Sequence, residues 1–168
     1  MSSGVLFEEI QPSGNKQLRD FSRVVTIIFL IGLGINLYLQ KGEFGLLSAG
    51  LVAGVLIAAA ISIASYTKMI TQIRNDGIYV RFPPFQPSFN KYEWNNIRDI
   101  YIRDYDPLSE YGGWGIRTTT LGKGYILPGT TGIQIVFTDK TRLLINTRES
   151  EKVSEILQHW EQFKNFQP

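Results

Sequence analysis

Two stretches without one charged side chain, Val24 to Gln40 and Phe44 to Thr67, decide most of what this chain can fold into. A bilayer core of about 30 Å is crossed by roughly 20 apolar residues in a helix, with a working range of about 17 to 25. Both runs fall in that range. A cleaved signal peptide would show a shorter apolar core followed by small residues at a cleavage site. Here Tyr38, Leu39, Gln40, Lys41, Gly42 and Glu43 follow instead, and a second run begins at once. The two runs are expected as spans 24–40 and 44–67 of a tight antiparallel hairpin. Lys16, Arg19 and Arg23 precede it, Lys68 and Arg74 follow it, and Lys41 stands in the connection. The excess of lysine and arginine beside cytoplasmic span ends places both termini in the cytoplasm. Residues 1–23 then read as a cytoplasmic N-terminal tail and 68–168 as a cytoplasmic domain.

Gly50, Gly54, Ala58 and Ser62 recur every four residues and line one face of the second run. Such a face lets another helix backbone approach closely, either the first span, thinned by Gly32 and Gly34, or a second copy of the chain. Neither run holds an ionisable residue, and Asn36 is the one strongly polar side chain. Carriers and pumps keep carboxylates, histidines or broken helices at membrane depth, so the hairpin is expected to be an anchor in membrane lipid and not a conduction path.

The chain has no cysteine, which excludes disulfides and thiolate metal sites. From Lys68 onward, 13 basic and 11 acidic side chains are interspersed with no basic stripe, and a nucleic-acid partner is not expected.

Past Lys68 the apolar pattern changes from continuous to alternating. Ile78, Val80 and Phe82 share one face of a strand that follows Asn75-Asp76-Gly77, a hairpin signal, and Pro83-Pro84 ends it. Further strands are expected over Phe89–Trp94, Ile97–Tyr105, Tyr125–Leu127, Gly132–Thr138 and Thr141–Thr147, with Asp139-Lys140 turning between the last two. Short strands at regular spacing read as a small antiparallel sandwich or barrel. Val153, Ile156, Leu157, Trp160 and Phe163 then follow helical spacing. An amphipathic helix is expected there, N-capped by Thr147 and covering an open barrel end.

About seven antiparallel strands in a partly open barrel capped by a C-terminal helix is the architecture of pleckstrin-homology (PH)-like domains. The segment YDPLSEYGGWGIR, Tyr105 to Arg117, with Gly124-Tyr125, Gly129, Gly132-Ile133-Gln134 and Leu144 to Thr147, resembles small bacterial membrane proteins with two spans and a bacterial PH-like domain, grouped as a domain of unknown function. Where that family carries Ile-Gly-Thr before the last helix, this chain has Ile145-Asn146-Thr147. The resemblance implies a PH-like fold and the bacterial inner membrane, and it implies no activity.

Within EYGGWGIR the glycines predict a tight bend. Either Trp114 plugs the barrel, with Arg117 stacked or paired with Glu110, or Glu110, Tyr111, Trp114 and Arg117 form a recognition patch. Gly122-Lys123 lacks the first glycine and the Ser or Thr of a phosphate loop. Arg74 and Lys68 near the first hairpin make a weak phosphoinositide case, since membrane proximity alone explains both cations. The single histidine, His159, stands beside the helical stripe. Asp99, Asp104, Asp106 and Glu110 interleave with Arg98 and Arg103 as a charge-balanced face. No catalytic constellation, cofactor or metal is expected. The expected function is a membrane-anchored, non-enzymatic interaction module binding a protein or lipid partner at the inner membrane surface. The alternative is an oligomerising scaffold or accessory subunit of a membrane complex.

Overall fold

The computed structural model describes residues 4–12, 14, 16–39 and 45–159, and the chain divides into two compact units. One unit is Pro12–Lys68. The other joins the first eleven residues to everything from Met69 onward.

The first unit is a pair of helices, α1 (Lys16–Leu39) and α2 (Leu46–Ser65). Facing contacts fix an antiparallel register. Asn36 accepts a hydrogen bond from Ser48 at 2.6 Å, Gly32 lies over Leu51, Gly54 over the Phe29 ring, and Ser62 donates to Ser22 at 3.0 Å. Arg23 donates to the Tyr66 hydroxyl at the end away from the connection. A Cβ on Gly54 would overlap the Phe29 ring, so glycine there is what admits the aromatic. Both helices are long and apolar enough to cross a membrane, and only 6% of the apolar window in α1 and 11% of that in α2 is buried. A core helix of a water-soluble domain would bury most of such a window. The connection at Lys41, Gly42 and Glu43 lies outside the described residues.

The second unit holds nine strands among the described residues, in two sheets. Strands β1 (Val5–Pro12), β2 (Lys68–Arg74), β3 (Gly77–Phe82) and β4 (Gln86–Tyr92) form the first, in that order. A single 3-10 turn over Trp94–Asn96 leads to β5 (Ile97–Asp104). The second sheet adds β6 (Gly115–Thr119), β7 (Gly122–Ile126), β8 (Thr131–Phe137) and β9 (Arg142–Asn146) in the order β5-β8-β9-β7-β6. A short helix, α3 (Pro107–Tyr111), lies between β5 and β6, and α4 (Ser150–Leu157) follows β9.

Ile78, Val80 and Phe82 do share the inner face of β3. They meet Ile97 and Ile100 from β5, Ile133 and Ile135 from β8, and Leu143 and Ile145 from β9 in one core between the sheets. Trp94 is fully buried there, and its indole N–H donates to the Arg74 carbonyl at 2.9 Å. Val153 and Leu157 of α4 enter the same core, whereas Trp160 and Phe163 lie outside the described residues.

The sheets are mostly antiparallel, but three expectations change. First, strands number nine and not about seven, because β1 and β6 are added. The stretch 1–23, expected as a tail, contributes a whole strand to the first sheet and begins α1 at Lys16. Second, β7 and β9 run parallel, pairing Lys123 with Leu143 and Tyr125 with Ile145, because the β6–β7 hairpin is laid on the sheet edge beyond β9. Third, Thr147 is not the N-cap of α4. That position falls to Glu149, and the Thr147 hydroxyl donates to the buried Glu9 carboxylate at 2.7 Å. Glu9 also accepts the Arg148 N–H at 2.9 Å, which ties β1 to the entry of α4.

Candidate functional site

The segment from Tyr105 to Arg117 begins with a well-capped helix. The Asp106 carboxylate accepts the N–H groups of Leu108 and Ser109 at 2.8 and 3.0 Å, and Pro107 opens α3 with the fixed φ a first turn needs. Gly112 closes it in the left-handed conformation, φ +68°, and the N–H groups of Gly112 and Gly113 return to the carbonyls of Leu108 and Pro107. Gly113 and Gly115 continue at φ +114° and +107°, a backbone that side chains with a Cβ rarely adopt. The glycines therefore turn the chain sharply from α3 into β6.

What this bend buries is Tyr111. It is 2% exposed and packs with Tyr105, Ile126 and Leu144 on the outer face of the second sheet. The Tyr105 and Tyr111 rings meet edge to face at 6.1 Å, and Asn146 donates to the Tyr105 hydroxyl at 2.9 Å. Gly124 on β7 makes room for Tyr111, since a Cβ there would stand 2.8 Å from its ring. Trp114 is not a barrel plug: it is 53% exposed, and the buried tryptophan of the core is Trp94.

Glu110 does not pair with Arg117. Arg103 takes it bidentately, at 2.7 Å to Oε2 and 3.2 Å to Oε1, while Oε1 also accepts the Asp106 N–H at 3.0 Å. Arg103 Nε donates to Gln134 at 2.9 Å, which fastens the pair to β8. Hydrogen bonds from Arg103 hold the Glu110 carboxyl below its ordinary range, and Glu110 in turn holds Arg103 above its own. Burial pushes the phenols of Tyr105 and Tyr111 up. The N–H groups of Ser109 and Leu108 hold Asp106 down. At neutral pH the segment thus consists of fixed ions and neutral phenols, an arrangement suited to holding shape and not to moving protons.

Of the four patch residues, Trp114 and Arg117 are at the surface, Tyr111 is beneath it, and Glu110 is a half-buried clamp. The surface also contains Leu108, 64% exposed, and Ile116, 37% exposed, which sequence reasoning passed over. A Cβ on Gly113 would lie 3.7 Å from the Arg117 guanidinium and 4.0 Å from Leu108, so the helix and the strand meet here. Among the described residues β6 is the edge of its sheet and pairs with β7 alone, leaving one row of its backbone groups without a strand neighbour among them. Aromatic, aliphatic and cationic side chains beside a free strand edge can contact a partner by apolar burial and backbone hydrogen bonds together.

Among the small residues of α2, Gly54, Ala58 and Ser62 are engaged inside the hairpin, by the Phe29 ring, by burial and by Ser22 respectively. A Cβ on Gly50 would meet nothing within 4 Å. His159 is exposed just past α4, and Asp104 accepts the Thr131 hydroxyl at 2.9 Å. No group of three metal-binding side chains occurs among the described residues.

Residues 24–113 match a family of unknown function, DUF6141, and the chain belongs to it. The matched stretch runs from α1 through α3 and stops inside the glycine-tryptophan segment. No curated protein and no solved structure matches the chain.

Proposed function

We propose that this DUF6141 member is a membrane-anchored, non-enzymatic interaction module. In this reading α1 and α2 are two spans in the bacterial inner membrane, both termini face the cytoplasm, and the β unit is a PH-like domain that binds a protein or lipid partner at the membrane surface. The anchor is supported by aliphatic side chains that α1 and α2 leave uncovered, Ile28, Ile31, Leu46 and Leu56 among them. Arg23 against Tyr66 at one end of the pair suits the interface, where a cation and an amphipathic ring are both at home. The PH-like reading is supported by two sheets around one core with α4 packed into it. The β6–β7 hairpin on the sheet edge is the departure from that plan.

The observation that carries the interaction role is Trp114, a large aromatic held at the surface by a capped helix, three left-handed glycines and the Arg103–Glu110 clamp. A backbone held in one conformation before binding loses little entropy on binding, and exposed aromatics presented on such a backbone are common anchors of interfaces. Purification of the tagged full chain from native membranes, with and without Trp114→Ala, tests this. Association with its partner should fall at least about tenfold in the variant, as for a residue at the centre of an interface, with membrane insertion unchanged. An identical set of co-purified proteins and lipids would refute the role of this surface.

The scaffold alternative has one specific support. Gly50, Phe29, Leu46, Leu47 and Leu51 line an apolar groove of about 530 Å³ on the helix pair, where a second hairpin could pack.

A further inference from the structure

The sheet of β1 to β4 has two unlike ends. A Cβ on Gly4 would lie 3.6 Å from the Asn75 amide, and Glu8 accepts a hydrogen bond from Gln72 at 2.7 Å, so β1 runs antiparallel to β2 and brings Pro12 to the Lys68 end. Ile70 stands opposite Arg81, which puts the end of β3 there as well. The β3–β4 connection, Pro83-Pro84-Phe85, therefore closes the end of the sheet at which the chain leaves for α1 after Pro12 and returns from α2 before Lys68. α2 ends at Ser65, so at most about 11 Å of extended chain separates it from Lys68.

The opposite end carries the Asn75-Asp76 turn and Glu93, and the two carboxylates hold Lys91 at 3.2 and 3.0 Å. At the Lys68 end no residue from Phe82 to Asn90 is charged. Phe82 turns into the core, but Phe85 is 66% exposed, and Ile10, two residues before the end of β1, is 57% exposed. Pro83, Pro84 and Pro87 have no N–H, so the loop gives up few hydrogen bonds on leaving water. Its base is fastened. The Gln86 amide nitrogen donates to the carbonyls of Val80 and Ser88 at 3.2 and 3.4 Å, and its oxygen accepts the Tyr125 hydroxyl at 3.1 Å. The charges flanking this end are the exposed Lys68 and Arg81, whose guanidinium lies 4.5 Å from the centroid of the Phe89 ring. Neither makes an ion pair among the described residues.

We propose that the β3–β4 loop docks on the lipid surface, with Phe85 in the headgroup layer. The inference rests on the reading of α1 and α2 as membrane spans. Chain continuity then brings lipid to this end of the sheet, and both flanking charges match the anionic inner leaflet. A fastened, uncharged loop with an aromatic tip and few backbone donors suits the boundary between headgroups and acyl chains. The loop is a third attachment besides the two chain connections, and three points stop the β unit from swinging about two.

The chain has no cysteine, so Ser88→Cys, exposed beside Phe85, takes one polarity-sensitive fluorophore. The labelled full chain is reconstituted into vesicles of phosphatidylcholine and phosphatidylglycerol containing spin-labelled lipid. Interfacial side chains sit about 5–10 Å deep, so the spin labels should quench at least about half of the emission. Adding Phe85→Ser should remove most of that quenching, and a label at Asn75→Cys should show none. A label at Leu56→Cys in α2 reports the helix pair separately. Quenching at Leu56 with none at Ser88 overturns the proposal and leaves the membrane anchor in place, whereas no quenching at either overturns both. A Ser88 label shielded from aqueous iodide yet not quenched by lipid means that protein, such as a second copy of the chain, covers the loop, and this too overturns the proposal. So does quenching that Phe85→Ser leaves unchanged.

Discussion

Glu110→Gln tests whether the segment behind Trp114 is held by the Arg103 clamp. The native carboxylate accepts two hydrogen bonds from Arg103 and one from the Asp106 N–H. A neutral amide keeps the shape but offers one acceptor oxygen, so the bidentate pair becomes a single neutral-acceptor bond. Charge-assisted bonds contribute roughly 1.5 to 3 kcal/mol each when well buried, and the two side chains here are about a quarter exposed. Solvent screening reduces the loss to about 1–2 kcal/mol. Native-state hydrogen exchange reads this locally, through the Gly112 and Gly113 amides that close α3. In Glu110→Gln at pH 7 they should exchange roughly 5 to 30 times faster, with β8 amides unaffected. The pH dependence carries its own sign. The folded pKa of Glu110 is depressed, so its stabilisation is complete above the unfolded carboxyl value of about 4.3 and is lost as pH falls through the lower folded value. The difference between native and variant should therefore close in acid. Unchanged α3 protection at pH 7, or a difference that widens in acid, would refute the clamp.

Glu9→Ala should cost about 2–4 kcal/mol, because it leaves the Thr147 hydroxyl and the Arg148 N–H without their buried acceptor; exchange protection in β1 and α4 should fall together. Gly124→Ala should displace Tyr111 and cost about 1–3 kcal/mol as an overpacked contact, visible as increased exposure of Tyr111 to solvent-borne labelling. In the hairpin, Gly54→Leu should push α2 away from Phe29, whereas Gly50→Leu meets open space. Disulfide formation between cysteines introduced at Gly32 and Leu51 in membranes should drop in the first and persist in the second. If Gly50→Leu instead abolishes cross-linking between copies of the chain, the scaffold reading gains its partner face.

The sequence made legible those elements whose own residues encode them. Uncharged length marks α1 and α2, and alternation marks the inner faces of β3, β8 and β9. The Pro83 stop holds, and the first turn falls on Asn75-Asp76, with Gly77 opening β3. β1 was hidden because its pattern is inverted. Phe7, Glu9 and Gln11 are buried, while Val5, Leu6 and Ile10 are exposed. Glu9 and Gln11 can be inside because Thr147, Arg148 and Asn146, some 135 residues away, supply partners for the Glu9 carboxylate and the Gln11 amide nitrogen. β6 was hidden for a related reason. An edge strand has one neighbour and no buried face of its own, so Gly115 to Thr119 carry no alternation to detect.

The same logic accounts for the tryptophan. Residue size predicts burial only where space exists, and in this segment the space was set by a glycine on another strand. Gly124 opens a slot on β7 that admits the Tyr111 ring. With Tyr111 inside and α3 capped at both ends, the left-handed turn through Gly112 and Gly113 carries Trp114 past the sheet edge and into the open. The glycines flanking the bulkiest side chain therefore do not fit it into the core. They fix the direction in which it leaves the fold, and a substitution that closes the Gly124 slot should move Trp114 without touching it.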